Sequence, residues 1–207
     1  MISKKVFSEF EKLNVESRAK IEEYMDRLLE YNKKINLISR KMKRENLKYL
    51  INETLCLNPL ISKSPILDAG SGNGLLGVPL AIVNRDKKVV LVESKIKKQI
   101  FLYELKINMG LKNIAVQRSD VYHYLRKKQT GEPTMVARGF PNPDILISCL
   151  VRGMVEELLI ITSKRKLIKI KKGLENIEQK IYNIPFRDDI VILQMENVSR
   201  ETKRKKL

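Results

Sequence analysis

Residues 66–77 read Ile66-Leu-Asp-Ala-Gly70-Ser-Gly72-Asn-Gly74-Leu-Leu-Gly77, a short apolar run ended by an acid and a crowd of glycines. A run of this length bounded by glycine has the form of a buried strand. The apolar stretch behind it, Leu75 to Val83, has the form of a helix. A glycine-rich turn between the first strand of a sheet and the following helix is a nucleoside-binding place. Glycines let the backbone come close to a ligand, and the helix N-terminus points its amides at it. Two patterns overlap here. Gly72-x-Gly74-x-x-Gly77, with Glu93 about twenty residues on, satisfies the dinucleotide fingerprint. Asp68-x-Gly70-x-Gly72-x-Gly74 satisfies another, with an acid two positions before the first glycine. A carboxylate there faces a pyrophosphate badly and suits the ammonium of a methionine moiety.

On either side of this turn the chain alternates. Lys88 to Glu93 reads as a strand, Lys97 to Asn108 as a helix ending at Gly110, Ile114 to Gln117 as a strand and Val121 to Lys127 as a helix. A polar loop, Lys127 to Pro143, leads to an expected strand Asp144–Ser148, a helix Val155–Thr162 and a strand Leu167–Lys171. Such alternation predicts a parallel sheet covered on both faces. The last elements differ: Ile181 to Phe186, a turn at Arg187-Asp-Asp189, and Ile190 to Met195 read as an antiparallel hairpin, with a charged, frayed tail Ser199–Leu207. That hairpin favours a methyl-donor fold over a dehydrogenase. Residues 1–62 have helical period instead. Ser17 is expected to cap a helix carrying Ile21, Tyr24, Met25, Leu28, Leu29 and Asn32, and a second helix runs from Arg44 to Leu60. The predicted organisation is a helical N-terminal region, 1–62, before an α/β domain, 63–207.

Composition bounds the partners. The 207 residues carry 41 Lys and Arg against 24 Asp and Glu, a formal charge of +17. The excess holds along the chain, at about +4, +6 and +7 for residues 1–62, 63–162 and 163–207. A polyphosphate partner such as nucleic acid fits this distribution. No apolar run approaches membrane-spanning length, and acids interrupt the N-terminal stretch where a signal peptide is apolar. No membrane partner is expected. Cys56 and Cys149 make neither a disulfide scaffold nor a metal cluster, and a lone His123 excludes sites needing two histidines.

In the favoured reading the loop residues Asp68, Gly70, Ser71, Gly72, Asn73, Gly74 and Leu75 hold S-adenosylmethionine. Glu93, at the tip of the second strand, accepts hydrogen bonds from both ribose hydroxyls. Ser119-Asp120-Val121-Tyr122, after the third strand, lies along the adenine edge. A nicotinamide-dependent oxidoreductase is the rival reading of the same loop.

The run Leu67-Asp-Ala-Gly-Ser-Gly-Asn-Gly-Leu-Leu-Gly-Val-Pro-Leu80 resembles the glycine loop of the ribosomal RNA small subunit methyltransferase G family, also called glucose-inhibited division protein B. Tyr31-Asn-Lys-Lys-Ile-Asn-Leu-Ile-Ser39 is similar to that family's aromatic-Asn-Lys-x-x-Asn-Leu-Thr-Ser segment. Val92-Glu-Ser94, Lys97 to Leu102 and Ile170-Lys-Lys-Gly173 match further motifs, so the resemblance spans residues 20–180. It implies a Rossmann-like class I methyltransferase sheet, mostly parallel, with donor contacts at Gly70 and Leu75 and with Val121 and Tyr122 beside the adenine. It also implies methylation of a guanine N7 in small-subunit ribosomal RNA, in the cytoplasm, by a monomer acting on RNA or on the small ribosomal subunit. Two stretches differ from the family. Its Ser-Arg after the fourth strand reads Ser148-Cys149 at the strand expected here, and its His-x-x-Asp-Ser reads Leu50-Ile-Asn-Glu53-Thr54. Arg138 or Arg152 is then a candidate to replace the arginine. A catalytically degenerate member that binds RNA or ribosomes is the alternative.

The implied reaction needs no catalytic acid or base. N7 of guanine carries a lone pair and no proton, so an in-line attack on a sulfonium methyl rests on positioning and a fixed field. Asn142-Pro-Asp-Ile145 resembles an amino-methylating motif poorly and precedes the expected fourth strand, while Cys149 sits among apolar neighbours as a buried thiol rather than a nucleophile. Lys33, Lys34, Asn36, Arg138 and Lys172 are the expected RNA contacts, with Lys97 and Lys98 beside the same sheet edge. Tyr31 or Tyr122 is a candidate to stack on the base, Tyr31 at a spacing that suits the core.

Overall fold

The computed structural model describes residues 8–127, 133–170 and 177–197. The expected tail Ser199–Leu207 and Lys172 lie outside the described residues. Three helices come first: α1 (Ser8–Glu11), α2 (Val15–Asn32) and α3 (Arg44–Leu55). A single 3-10 turn, Asn58–Leu60, follows α3, so the helix expected to reach Leu60 stops five residues earlier. Asn14, not Ser17, caps α2: its side-chain oxygen accepts the Ser17 N–H at 2.8 Å, while Ser17 is itself buried. At the other end Asn32 turns inward and accepts the N–H groups of Leu37 (2.8 Å) and Ile38 (3.0 Å). The first asparagine of the Tyr31–Ser39 segment thus holds a turn.

The sheet follows, with β1 (Ile66–Ala69), α4 (Gly77–Val83), β2 (Val89–Val92), α5 (Ile96–Asn108), β3 (Ile114–Gln117), α6 (Val121–Lys127) and β4 (Thr134–Arg138). After these come α7 (Pro143–Val151), β5 (Glu157–Ser163), α8 (Lys164–Ile170), β6 (Ile177–Asn183) and β7 (Ile190–Asn197). The strand order is β3-β2-β1-β4-β5-β7-β6. Pairs from β3 to β5 are parallel, and β7 runs antiparallel to both β5 and β6. One apolar core joins Ile21, Tyr24, Leu28, Leu47 and Ile51 of the N-terminal helices to Ile66, Leu91 and Phe101 of the α/β unit. A second core fills the other face, with Leu67, Val90, Leu146 and Leu158.

Three elements expected from sequence are reassigned. The fourth strand is Thr134–Arg138, inside the expected polar loop. Asp144–Ser148 belongs to helix α7, not to a strand. Its start carries two helix signals: Asn142 accepts the Asp144 N–H at 3.1 Å, and Pro143 occupies the first turn. Most of the expected helix Val155–Thr162 is strand β5, whose first six residues are buried because both faces are covered. The expected strand Leu167–Lys171 falls largely in α8.

This shift matters for the site. The strand order reverses between β1 and β4, and in open α/β sheets the ligand crevice lies beyond the carboxyl ends of the strands at that reversal. Arg138 closes β4 and stands there directly, so Ser148-Cys149 is not the segment following the fourth strand.

Candidate active site

The loop after β1 is stitched from below. Asp68, 2% exposed, accepts the Gly77 N–H on Oδ2 at 2.9 Å, which ties the end of β1 to the first turn of α4. Ser71 N–H donates to Val92 O at 3.0 Å, and Ser71 Oγ donates to Asp68 O at 2.9 Å. Glu93 accepts the Gly72 N–H on one oxygen (2.8 Å) and the Lys95 N–H on the other (2.7 Å). Each oxygen keeps a second acceptor position, so the carboxylate is fixed without being used up. Asn73 braces the far side, accepting Leu75 N–H at 3.1 Å through Oδ1 and the Tyr24 hydroxyl at 3.1 Å through its carbonyl. Burial pushes the Tyr24 hydroxyl far up, so it stays a donor. Tyr24→Phe should therefore lower the unfolding free energy by about 1 kcal/mol in chemical denaturation, because it strands a partly buried carbonyl.

The glycines have separate reasons. Gly70, Gly72 and Gly74 take φ of 69°, 59° and 82°, in the left-handed region. Gly77 is needed for space instead: a Cβ there would sit 2.1 Å from Leu91 Cδ2.

Above the loop opens a cavity of about 310 Å³, lined by Gly70, Val92, Ser94, Ser119, Asp120, Val121, Tyr122, Phe140, Ile145 and Ser148. Val92, Val121, Phe140 and Ile145 give it apolar walls, and Ser94, Ser119 and Asp120 give polar edges. Asp120 also anchors α6 by accepting His123 N–H at 2.8 Å. In β1, beneath the loop, burial pushes the Asp68 carboxyl up to about 7; the Gly77 and Ser71 hydrogen bonds oppose that rise, and the nearby Glu93 charge adds to it.

A second cavity, of about 530 Å³, shares Phe140 with the first and lies beyond β4 and β5. Arg138, Asp144, Thr162, Ser163 and Lys166 supply its polar groups, among apolar residues such as Leu146 and Ile160. Arg138 Nη2 pairs with Glu53 Oε2 at 2.5 Å, and Glu53 has no exposed surface.

Of the expected residues, Gly70, Asp120, Val121 and Tyr122 line the smaller cavity together with Ser94, Phe140, Ile145 and Ser148, while Glu93 is tied to the loop through the Gly72 N–H. Phe140 and its neighbours were hidden because their segment was assigned to the loop before a misplaced strand. Lys33 and Lys34 line a separate groove between α2 and α5, and Lys33 pairs with Glu30 at 2.6 Å. Asn36 is exposed and accepts Arg40 Nε at 3.0 Å. Tyr31 packs against Phe101 with ring centroids 4.9 Å apart. Lys98 Nζ would lie 3.7 Å from a Cβ on Gly72, at the mouth of the loop. Arg152 and Arg126 each lie 5.9 Å from the Tyr122 ring centroid. Cys149 is fully buried in α7, and burial pushes its thiol up. Asn142-Pro-Asp-Ile145 follows the true fourth strand, so its position no longer argues against amino methylation. Its residues do: Asn142 spends its carbonyl oxygen capping α7.

A doubly wound sheet with a reversed strand inserted between β5 and β6, and with a glycine-loop pocket at its order reversal, is the architecture of a class I methyltransferase; S-adenosylmethionine is its methyl donor. A precorrin-6y C5,15-methyltransferase structure from Geobacter metallireducens shares the fold, with a TM-score of 0.56 at 13% identity over 79% of this chain and 91% of its own. A profile of the rRNA small subunit methyltransferase G family matches residues 17–185, and the chain belongs to that family. It is 31% identical to the Ribosomal RNA small subunit methyltransferase G of Brachyspira hyodysenteriae over 179 residues, 85% of this chain and 86% of the relative. Against the protein of the same name from Magnetococcus marinus it is 34% identical over 195 residues, 86% and 87% of the two chains.

Proposed function

We propose that this methyltransferase modifies N7 of a guanine in small-subunit ribosomal RNA. The observation that carries the reading is a pair of cavities, one at the strand-order reversal and one beyond β4 and β5, which share Phe140. The relatives are named for small-subunit ribosomal RNA, and the charge of +17 suits that partner.

The residues present fit the donor. Gly70 is exposed under the Phe140 ring, where a Cβ would come within 3.1 Å of Phe140 Cε2. The loop therefore leaves its backbone bare where a ligand passes. The smaller cavity takes a flat purine between Val92, Val121 and Ile145, with Ser119, Asp120 and Tyr122 along its edge. Glu93 offers its spare acceptor positions to ribose hydroxyls. Gly70 and Leu75 face the methionine moiety, and the Asp68 carboxylate beneath them complements its ammonium. When bound, the donor supplies an electrophilic methyl group on sulfonium.

The chain's own part is to hold, orient and exclude water. Phe140 borders both cavities, and its ring would help exclude water from them. N7 has no proton to lose, so transfer depends on alignment and on the field at both centres. The N7 edge faces the deep, narrow major groove of A-form RNA, so the guanine enters the larger cavity from a loop or flipped out of its stack. Lys166 lines that cavity and would meet its phosphate, Arg138 closes β4 beside it, and Lys98 stands at the mouth of the glycine loop. Among the described residues no helix is long and apolar enough to cross a membrane, and a monomer working in the cytoplasm is the proposed state. The ground for a non-catalytic member weakens, because Arg138 stands at the end of β4.

Donor competition tests the donor half of this reading. S-adenosylhomocysteine is expected to raise the melting temperature in proportion to the logarithm of its concentration, and Phe140→Ala to weaken that binding about tenfold. Protection by NADH with none from S-adenosylhomocysteine would overturn the reading.

A further inference from the structure

The larger cavity carries one acid. Among the described residues that line it Asp144 alone is acidic, beside the cations Arg138 and Lys166. Asp144 stands in the first turn of α7, one residue before Ile145, which lines the smaller cavity. The helix therefore opens with one residue in each cavity. Asn142 fixes the Asp144 backbone by accepting its N–H at 3.1 Å. Asp144 is exposed, and its carboxylate makes no hydrogen bond or ion pair among the described residues. The Arg138 guanidinium is taken by Glu53 and does not neutralise it.

A free carboxylate at that place repels the phosphates of an incoming RNA strand. An acid in a first helical turn favours the helix dipole by up to about 1 kcal/mol, but that does not require it to face a cavity. Base chemistry supplies a reason that does. Guanine presents two adjacent donors, N1–H and the 2-amino group, on the edge away from N7. A carboxylate only accepts, and its two oxygens meet both donors at once. Adenine has a bare acceptor at N1 and no 2-amino group, so the same carboxylate would face a lone pair. Methyl transfer strengthens the guanine contact. The N7 lone pair forms the new C–N bond, the electrons of the C–S bond stay on sulfur, and the positive charge passes to the purine. A neutral guanine becomes a cation with a stronger N1–H donor, so an anion at this edge binds the transition state more tightly than the substrate.

We infer that Asp144 reads the target base: its carboxylate accepts from N1–H and the 2-amino group of guanine and stabilises the charge that the base acquires. Asp144 thereby sets specificity and contributes to rate, and the inference rests on the proposed N7 transfer.

The test compares two acceptors: hypomethylated small-subunit RNA, and the same RNA carrying inosine at the guanine that wild type labels. Inosine keeps N7, the carbonyl and N1–H and lacks only the 2-amino group. Wild type is expected to lose about tenfold in kcat/KM on the inosine RNA. Asp144→Ala is expected to lose about tenfold or more on the guanine RNA and to treat the two acceptors alike within about twofold. If Asp144→Ala does not fold, Asp144→Asn keeps the side-chain shape, and the same loss with a guanine preference cut to about threefold is expected. A merely structural acid at the start of α7 would change the melting temperature and leave the guanine-to-inosine ratio at its wild-type value. Label at guanine N7 with that ratio unmoved by the substitution, or a wild type indifferent to inosine, would overturn the inference alone. A wild type that places no methyl group on a guanine N7 would overturn the proposed function and this inference with it.

Discussion

Gly77→Ala is expected to abolish donor binding and to lower the unfolding free energy by about 3 kcal/mol. The new Cβ would sit 2.1 Å from Leu91 Cδ2, 2.9 Å from Asp68 Oδ2 and 3.1 Å from Asp68 Cβ. Leu91 is fully buried in β2 and Asp68 is 2% exposed, so neither has room to retreat. The first turn of α4 must move outward instead. That movement breaks the Gly77 N–H to Asp68 bond and carries the whole loop with it. Gly110→Ala is the control: its φ is +62° and a Cβ there meets nothing within 4 Å, so only backbone strain of about 1 kcal/mol is added. Denaturant unfolding of both variants, with a calorimetric donor titration, separates crowding at the loop from ordinary glycine replacement.

The second large effect is a pH dependence. Asp68 is pushed from an ordinary value of 3.8 up to about 7, first by burial. An acid whose folded pKa is raised binds its proton more tightly in the native state than in the unfolded chain. Its contribution is therefore whole below the unfolded pKa and is lost as pH rises from about 4 to about 7, up to about 4 kcal/mol. Asp68→Asn stays neutral and still accepts the Gly77 N–H, so this fall in stability should vanish from its profile. Donor binding moves the opposite way. The ammonium of the methionine moiety, which S-adenosylhomocysteine keeps, favours the ionised carboxylate, so wild-type affinity for S-adenosylhomocysteine should rise as pH passes through about 7, with release of a proton. Asp68→Asn should bind about tenfold more weakly at pH 8 and show no such rise. Denaturation at pH 5 and pH 8, with titrations at the same values, checks both signs. A wild-type affinity flat across that range would remove Asp68 from the donor's electrostatics.

The loop residues Asp68 to Gly77, Glu93 and Asp120 to Tyr122 were legible because their signals are local: a buried run, a glycine cluster, and acids or polar residues at strand tips. The second half of the sheet was not. Thr134–Arg138 is five residues long and carries polar groups at both ends, so it passed for loop. Ile145 and Ile147 drew α7 toward a strand reading although Asn142 and Pro143 marked a helix start. Tertiary burial, not β-branching, decided it, since α7 packs Leu146 and Leu150 onto the sheet. The pairing of Glu53 with Arg138 and Arg187 had no local signal at all. Glu53 and Arg187 stand 134 positions apart, and only the closure of the hairpin against α3 brings them together.

The most direct measurement is the site of label after incubating hypomethylated small ribosomal subunits, and RNA extracted from them, with methyl-labelled S-adenosylmethionine. One N7-methylguanine, located by chemical cleavage of the small-subunit RNA and lost with Arg138→Ala, is the predicted result. Label on an exocyclic amine, a ribose or a protein, or no label despite saturable donor binding, would contradict the assignment of the larger cavity to guanine N7.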